Sequence, residues 1–597
     1  MRRVAAFLFP AVLAGSFLLG QTPPQPATKV LALVHVTVID ATGGPALADC
    51  TVVVTGNRIT DIGSSSKIPV PKDAETIDGA GKFLIPGLWD MHVHWYDRDY
   101  YSLFLANGVT GIRIMWGNPG HHALRKEIAA GQFLGPRMVI ASAIIDGPAP
   151  YWPGSISVHN PAEAAAAVDS EKQAGADFIK VYSLLPRESY FAIADEAKKL
   201  GIPFEGHVPF AVSVEEASNA GQKTIEHLTG VLPACSTRQK ELLEAAQDDL
   251  ADMLASGKPS FTGPHQRKLR EALLDSYDPE KAARLFARFK KNGTWQCPTL
   301  TVLRSFSYRD QASFRDDPRM KYMPFSVRGM WTPVAPPDGQ GGAPEDHAFS
   351  KRQFQKDLEL VGAMNRAGVD IIAGTDVLNP FCFPGFSLPD ELELYVKAGL
   401  SPIEALRTAT ANPARFLGRE KDFGTVQPGK LADLLLLDAN PLDNINNVRK
   451  ISALIYDGKY YPREALDGML SRAEALANRK SIGQAMSKTI MTQGIDAAVQ
   501  QYGELKTTQS SAYNFDEGEL NALGYQLLQA KKVKEALRIF QLNVEAYPQS
   551  GNVYDSLAEA YMNNGDKQLA IENYQKSLQL DPSNKNAVEM LKRLAAP

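Results

Sequence analysis

Four of the ten histidines in this chain, with one lysine and one aspartate, lie at or near the ends of short apolar runs. They are His92 and His94 in PGLWDMHVHW, Lys180 in ADFIKVYS, His207 in IPFEGHVP, His227 in KTIEHLTG and Asp376 in VDIIAGTD. Imidazole and carboxylate groups suit zinc or a similar divalent ion. Because alternate residues of a strand point to the same side, His92 and His94 can face one ion together. These residue types predict metal chemistry.

A scaffold must bring these residues together, and the middle of the chain predicts one. Short β-type runs alternate there with helical stretches rich in Ala, Glu and Lys. Eight strands are predicted, at residues 88–92, 111–115, 137–141, 178–182, 204–208, 224–227, 295–299 and 371–374. The alternation is typical of an α/β fold, here a (β/α)8 barrel, in which the active site lies at the carboxyl ends of the strands. Residues far apart in sequence can therefore bind the same ion.

Lys180 is the unusual member of this set. A lysine amine is normally protonated and repels a cation. Three interpretations stay open on the residues alone: the amine is neutral, it is chemically modified, or it points away from the ion.

The motifs around these residues resemble the amidohydrolase superfamily, in its prolidase-like and imidazolonepropionase-related branch. The resemblance rests on PGLWDMHVH, the strand lysine, GHVP, IEHLTG, AGTD and the late ATANPARFLG and GTVQPGKLADLLLLD, and it covers about residues 28–460. It implies two divalent ions, with zinc expected. His92, His94 and Asp376 would bind the more buried ion, and His207 and His227 the more exposed one. Lys180, carboxylated to a carbamate, would bridge them.

The resemblance also implies a reaction. The imidazolonepropionase group generally lacks the bridging lysine, so Lys180 favours the dipeptidase-like branch, which cleaves dipeptides or acylated amino acids. We expect hydrolysis of a C–N bond by a hydroxide that bridges the ions, with Asp376 accepting a proton and returning it to the leaving amine. Tyr182, on the same strand face as Lys180, could donate to the oxyanion. A barrel-packing role explains that tyrosine as well.

Two segments depart from the prolidase-like pattern. Relatives usually carry a Gly-Gly-His segment after the third strand that helps to bind the substrate carboxylate, whereas this chain reads IIDGPAPYWPGSISVHN. His159 lies nearby but is offset, and a surface-loop role is the simpler interpretation. The tyrosine that sometimes follows the fifth-strand histidine is replaced in GHVPFAV. Both departures weaken the prediction of dipeptide specificity.

Further units are predicted around and within the barrel. Residues 28–80 and 420–461 carry β-type runs that would form one composite β-sandwich, with the barrel at 81–419. Helical residues 235–292 and the stretch 304–350, with the Gly- and Pro-rich tract APPDGQGGAPED, are insertions. They are predicted to cap the active site, or else are tolerated surface insertions.

The end of the chain contains an internal repeat. At an offset of 34 residues, Leu523, Leu527, Ala536, Phe540 and Pro548 match Leu557, Tyr561, Ala570, Tyr574 and Pro582. Small residues where two helices approach, with proline after each second helix, are typical of tetratricopeptide repeats. We predict an all-α repeat domain at 511–597, after a helical connector at 462–510. It is a candidate site for a protein partner, and oligomerisation stays open.

The first twenty residues predict export. Arg2 and Arg3 precede an apolar run from Val4 to Leu19, which ends in small residues and is shorter than the roughly 18 to 20 residues of a spanning helix. We expect a signal peptide at 1–20 and a periplasmic or secreted protein without a membrane anchor; an uncleaved anchor is the alternative.

Composition excludes some classes of partner and site. The net charge of −4 gives no basic excess of the kind that nucleic acid binding requires. The four cysteines lie far apart without CxxC pairing, so buried free thiols are expected rather than disulfides or a thiolate metal site.

Two rival functions remain from the sequence. The same site could hydrolyse a lactone, a cyclic amide or a phosphotriester, because one hydroxide attacks any polarised centre. Alternatively, the repeats could serve a protein-binding scaffold with a vestigial barrel site. The intact set of six metal-ligand candidates argues against the scaffold.

Overall fold

The computed structural model describes residues 29–94, 97–258, 260, 263–331, 344–581 and 584–595. The predicted signal peptide, most of the Gly- and Pro-rich tract and Pro582 lie outside the described residues. Within the described ranges, no helix is both long enough and apolar enough to cross a membrane. The four cysteines are free and buried, as predicted.

The chain begins with strands of a mixed sheet beside the barrel. They are β1 (Val30–Val38), β2 (Leu47–Thr55), β3 (Arg58–Ser64), β4 (Glu75–Asp78) and β5 (Phe83–Pro86). β1 pairs antiparallel with β2 and parallel with β4 and β5. The aliphatic side chains of β1 and β2 supply much of this sheet's own hydrophobic core.

The barrel strands follow. They are β6 (Leu88–Val93), β7 (Val109–Ile114), β8 (Arg137–Asp146), the short β9 (Ile156–Ser157), β10 (Phe178–Val181), β11 (Phe204–Gly206), β12 (Thr224–Glu226) and β13 (Trp295–Cys297). Seven of them pair in parallel in the order β13-β12-β11-β10-β8-β7-β6, and β9 adds to β8. The predicted barrel fold is confirmed.

The expected eighth strand at 371–374 is wrong as a regular strand. Single bridges, Gln296 with Ile371 and Val93 with Val377, close the barrel instead. The backbone N–H of Ala373 is bonded to Thr408 O, and the N–H of Thr375 to the Asp90 carboxylate. Because these two backbone N–H groups donate to Thr408 O and to a side chain, the segment cannot form a continuous ladder of backbone hydrogen bonds with β6 or β13. The segment nevertheless lies between those two strands.

Three strands after the barrel complete the mixed sheet. They are β14 (Leu434–Leu437), β15 (Ile451–Tyr456) and β16 (Lys459–Pro462). β14 pairs antiparallel with both β5 and β15, so segments from the two sides of the barrel form one sheet. The predicted composite β unit is therefore an eight-stranded mixed sheet.

Helices surround the barrel and form both insertions. Those between the first six barrel strands are α1 (Ser102–Ala106), α2 (Pro119–Ala129), α3 (Pro161–Gln173), α4 (Arg187–Leu200) and α5 (Val214–Asn219). After β12 comes α6 (Val231–Ala234). The first insertion then holds α7 (Gln239–Ser256), α8 (Pro264–Lys268), α9 (Arg270–Asp275) and α10 (Pro279–Asn292). After β13 come α11 (Leu300–Tyr308), α12 (Ala312–Arg315), α13 (Phe325–Trp331), α14 (Pro344–Ala367), α15 (Ser387–Lys397), α16 (Pro402–Thr408) and α17 (Ala411–Phe416). Short 3-10 helices lie at Arg98–Tyr100, Pro318–Tyr322 and Ile445–Arg449.

The C-terminal region is helical. It contains α18 (Arg463–Ala477), α19 (Ile482–Gln493), α20 (Ile495–Thr508), α21 (Glu517–Gln529), α22 (Val533–Ala546), α23 (Gly551–Asn564), α24 (Lys567–Leu580) and α25 (Lys585–Ala595), with the two-residue strands β17 (Lys480–Ser481) and β18 (Tyr513–Asn514). α21 and α23 begin 34 residues apart, which matches the predicted repeat. A Cβ at Gly524 would lie 2.5 Å from the Phe540 ring, so the paired helices need a small residue there.

Candidate metal centre

The six predicted ligands converge on one end of the barrel. His92 lies in β6 and His94 just after it, Lys180 lies in β10, and His207 and His227 each follow the last residue of a strand. Asp376 lies in the segment that closes the barrel, and its N–H donates to His92 O. His92 and Lys180 are completely buried. The structure therefore brings the predicted residues together.

Three ligand atoms form a compact triangle. The Nε2 atoms of His92 and His94 lie 3.1 Å apart, and Asp376 Oδ1 lies 3.3 Å from the first and 3.2 Å from the second. Ligands placed tetrahedrally about 2.0–2.1 Å from one ion lie about 3.3 Å from one another. The triangle thus has the size that one bound ion requires.

The hydrogen bonds around His92 leave an unshared lone pair in this triangle. His92 Nδ1 lies 2.7 Å from Glu226 Oε2, and an ionised carboxylate only accepts, so the Nδ1 carries the proton. The Nε2 of a neutral His92 then presents a lone pair toward the Asp376 carboxylate. Asp376 Oδ1 is buried and has no hydrogen-bond partner among the described residues. A divalent ion would satisfy these facing acceptors.

His227 and His207 form the other side of the site. The His227 ring lies 4.6 Å from the His92 ring and 4.8 Å from the His207 ring, between centroids. His227 Nδ1 lies 2.6 Å from Thr299 Oγ1, which itself donates to Pro298 O. Thr299 therefore accepts from Nδ1, and the Nε2 of His227 keeps its lone pair. One ligand atom each from His92, His227 and Asp376 can lie within 4.8 Å of the others.

Lys180 presents an unpaired amine to this site. Its Nζ is buried and has no hydrogen-bond partner in the described part of the chain. Burial lowers the pKa of Lys180 to about 8, although Glu226 and Asp376 oppose that shift. An orphaned buried nitrogen is costly unless something pairs with it. The residues present therefore fit a metal centre that a modified Lys180 would complete.

A buried ionic network behind the site was missed by the sequence reasoning. Arg113 donates to Glu205 at 2.5 Å and to Glu226 at 2.9 Å, and Glu226 accepts from His92. Arg113 and Glu226 are fully buried, so the network fixes the orientation of the His92 ring. A charged residue inside an apolar strand, as in GIRI and TIE, was the available signal.

Asp90 was missed as well. Its carboxylate accepts hydrogen bonds from the backbone of His92 at 3.2 Å, from the backbone of Thr375 at 3.0 Å and from the Thr375 hydroxyl at 2.6 Å. Burial raises the pKa of Asp90 to about 7. This side chain joins the first ligand strand to the segment that presents Asp376.

Three residues at the site adopt left-handed backbone conformations. His227, Thr299 and Asp376 have φ values of 58°, 49° and 59°. Non-glycine residues rarely adopt this region, and it costs about 1–3 kcal/mol at functional sites. The surrounding hydrogen bonds hold these three residues in place.

Tyr182 and His159 have different surroundings. The Tyr182 ring stacks on His207 at 4.0 Å, and its oxygen accepts a hydrogen bond of 2.8 Å from Trp152 Nε1. This contact agrees with a packing role, and oxyanion donation by Tyr182 stays a prediction. His159 lies exposed and contacts Glu163, so it is a surface residue as expected.

The second insertion reaches the segment that carries Asp376. Trp331, the last residue of α13, donates through Nε1 to Leu378 O at 3.2 Å. Its ring also packs against Phe381 and Phe383. Part of this insertion therefore lies against the catalytic face.

Gly374 is expected to tolerate no side chain. A Cβ at this position would lie 2.6 Å from Cys297 Sγ and 2.7 Å from His92 Cβ. We predict that Gly374→Ala lowers the free energy of unfolding by about 1–3 kcal/mol and weakens metal binding, because His92 must shift. Denaturant titration and metal analysis measure the two effects. Gly468→Ala in α18, where nothing lies within 4 Å, is the matched control; an equal loss in both variants would contradict the prediction.

Two parts of the chain match known protein families. A family model described as amidohydrolase family matches residues 321–460, and one described as tetratricopeptide repeat matches residues 551–584. The ochratoxinase of Aspergillus niger is 23% identical over 429 residues, which cover 69% of this chain and 82% of that protein. The imidazolonepropionase of Rubrobacter xylanophilus is 47% identical over 81 residues, or 13% of this chain and 19% of that protein.

Solved structures agree on the fold. A bottromycin amidohydrolase superimposes with a TM-score of 0.58 at 24% identity, covering 76% of this chain and 91% of that one. A Xaa-Pro dipeptidase with bound methionine gives a TM-score of 0.52 at 20% identity, over 73% of this chain and all of the other. The chain therefore contains an amidohydrolase family domain, followed by a C-terminal tetratricopeptide repeat.

Proposed function

We propose that this protein is a metal-dependent hydrolase that cleaves the C–N bond of a dipeptide-like or N-acyl amino acid substrate. The observation that carries the proposal is the triangle of His92 Nε2, His94 Nε2 and Asp376 Oδ1, whose atoms lie 3.1–3.3 Å from one another. These residues would bind one divalent ion. His207 and His227 would bind a second, and zinc fits the donor set.

When bound, the ions would supply Lewis acidity for the scissile carbonyl and lower the pKa of a water to give the attacking hydroxide. In this proposal, Asp376 moves the proton. Burial raises its pKa, but the adjacent His92 and His227 outweigh burial and hold the pKa of Asp376 below its ordinary value. Its carboxylate is thus ionised and can accept a proton, which it then delivers to the leaving amine.

Lys180 is proposed to be carboxylated. Its neutral amine attacks the carbon of carbon dioxide, so an N–C bond forms while one C=O π bond breaks and its electron pair moves to oxygen. One N–H bond then breaks, and its proton is released to solvent. The product is a carbamate, whose two oxygens could bridge the ions. With a pKa of about 8, a fraction of the Lys180 amine is neutral near neutral pH. Nζ has no hydrogen bond among the described residues that the modification would have to break.

The named activities of similar proteins support an amide bond as the target. They include an amidohydrolase for bottromycin and a Xaa-Pro dipeptidase. The test is an assay of purified protein, reconstituted with zinc, cobalt or manganese, against dipeptides, N-acyl amino acids, lactones, cyclic amides and phosphotriesters. We expect metal-dependent turnover of the first two classes and two ions per chain by elemental analysis. Fewer than one ion per chain, or turnover of the other classes only, would overturn the proposal.

Export is proposed from the charged and apolar N-terminal segment. Expression of the full chain in bacteria, followed by fractionation and N-terminal sequencing, tests it. We expect exported protein that begins close to residue 21, whereas protein retained inside the cell with its first twenty residues would contradict export.

The repeats are proposed to bind a protein partner and to take no part in turnover. Truncation after residue 510 tests whether the repeats take part in turnover. We expect unchanged kcat/KM in the truncated protein, and a large loss without a change in folding would contradict it.

A further inference from the structure

The loop after the third barrel strand carries an exposed aromatic residue beside the metal centre. Trp152 keeps 38% of its surface accessible. The loop departs in sequence from the Gly-Gly-His pattern, and nothing in the proposed reaction uses its aromatic residues.

The loop is held in one conformation. The buried Asp146 carboxylate accepts from the backbone N–H of Tyr151 at 3.0 Å and from that of Leu184 at 2.8 Å. β9 returns to pair with β8, and the Ser157 hydroxyl donates to Gly147 O at 3.1 Å. A surface that is ordered before binding loses little conformational entropy on binding.

Aromatic contacts run without interruption from this loop to a metal ligand. Tyr151 and Trp152 pack edge to face at 5.0 Å, and Trp152 Nε1 donates to the Tyr182 oxygen at 2.8 Å. Tyr182 stacks on His207 at 4.0 Å, with 29° between the ring planes. We call Tyr151, Trp152 and Tyr182 the aromatic shelf. Its inner end touches the metal centre, and Trp152 is its exposed part.

We propose that the aromatic shelf binds a planar aromatic group next to the scissile amide, with Trp152 as the specificity-determining residue. This inference rests on the proposed amide hydrolysis. An indole face buries a large apolar area against another ring and favours offset or edge-on stacking. Tyr182 lies between Trp152 and His207. A substrate ring stacked on Trp152 would therefore lie one side chain away from the site where the bond is cleaved.

The test compares three substrates in the metal-loaded protein: N-benzoyl-L-alanine, N-acetyl-L-phenylalanine and N-acetyl-L-alanine. We expect Trp152→Ala to lower kcat/KM about tenfold or more for at least one aromatic substrate, mainly through KM, and less than about twofold for N-acetyl-L-alanine. Trp152→Phe should restore most of the loss, because it keeps a ring. An equal loss on all three substrates, or no loss on any, overturns the inference.

A binding measurement separates this inference from the reaction itself. Calorimetric titration of N-benzoyl-L-alanine into the wild type and Trp152→Ala needs no turnover. Binding that depends on Trp152, without hydrolysis of any substrate, would refute the proposed amide hydrolysis and support the aromatic shelf. Hydrolysis of aromatic substrates with no dependence on Trp152 would refute the shelf alone. Met491→Ala, another exposed apolar residue, is the matched control and should leave all values unchanged.

Discussion

Replacing Asp376 by asparagine is expected to lower kcat by about 10² to 10⁴-fold and to leave KM and overall folding nearly unchanged. Asparagine has almost the same shape and retains one oxygen. It cannot accept and return a proton, which is the step assigned to this carboxylate. The left-handed conformation of Asp376, with φ of 59°, is also one that asparagine adopts readily.

Steady-state kinetics and metal analysis of Asp376→Asn check this result. His92 and His94 remain, so we expect most of the bound metal to be retained. Asp357→Asn is the matched control, because Asp357 is buried in α14 and burial raises its pKa to about 7. Neutralising Asp357 should leave kcat unchanged. An Asp376→Asn protein that keeps more than about a tenth of the wild-type kcat would exclude the proton-transfer role.

The histidine ligands could be predicted because each lies at or just after the end of a strand. A strand directs alternate side chains to one side, and a parallel barrel gathers the ends of its strands at one mouth. His92, His207 and His227 follow this rule in the structure. For them, local pattern and global fold point to the same place.

The buried ionic network and the irregular eighth segment of the barrel could not be predicted, because both depend on contacts between residues that are distant in sequence. Arg113 reaches Glu226 across the barrel interior, a separation of 113 residues with no local signature of pairing. The eighth strand fails for a related reason: Asp90, 285 residues away, takes the N–H of Thr375. Periodicity cannot report which partner a backbone donor will find. The loop with Trp152 is also irregular, so the contact between Trp152 and Tyr182 could not be predicted from its sequence.

Lys180→Ala is expected to lower kcat/KM by at least about 10³-fold and to reduce the bound metal below two ions per chain. In the proposed centre, Lys180 supplies the bridging carbamate. Alanine removes that ligand and leaves His207 and His227 as the protein ligands of the second ion. Kinetics and elemental analysis measure the two losses together. Lys223→Ala, which removes a partly buried lysine near Glu205, should keep its metal content.

Chemical rescue distinguishes a missing carboxylate from a damaged fold. Truncation at Lys180 opens a cavity in a completely buried position. Formate, acetate or propionate added to Lys180→Ala could place a carboxylate where the carbamate would lie, so we expect partial recovery of both activity and bound metal. Amines and alcohols of similar size should give none. A carboxylate is the only feature that the effective acids share with a carbamate.

Carbon dioxide gives the complementary test on the unaltered chain. Metal added to wild-type protein in bicarbonate-free buffer should activate it slowly and incompletely, and bicarbonate should accelerate activation. The reason lies in Lys180 itself, because an unmodified amine offers one nitrogen and cannot join two ions through two oxygens. If Lys180→Ala bound two ions and bicarbonate did not change the rate at which metal activates the wild type, the lysine would be neither modified nor bridging. The orphaned Nζ would then need another partner.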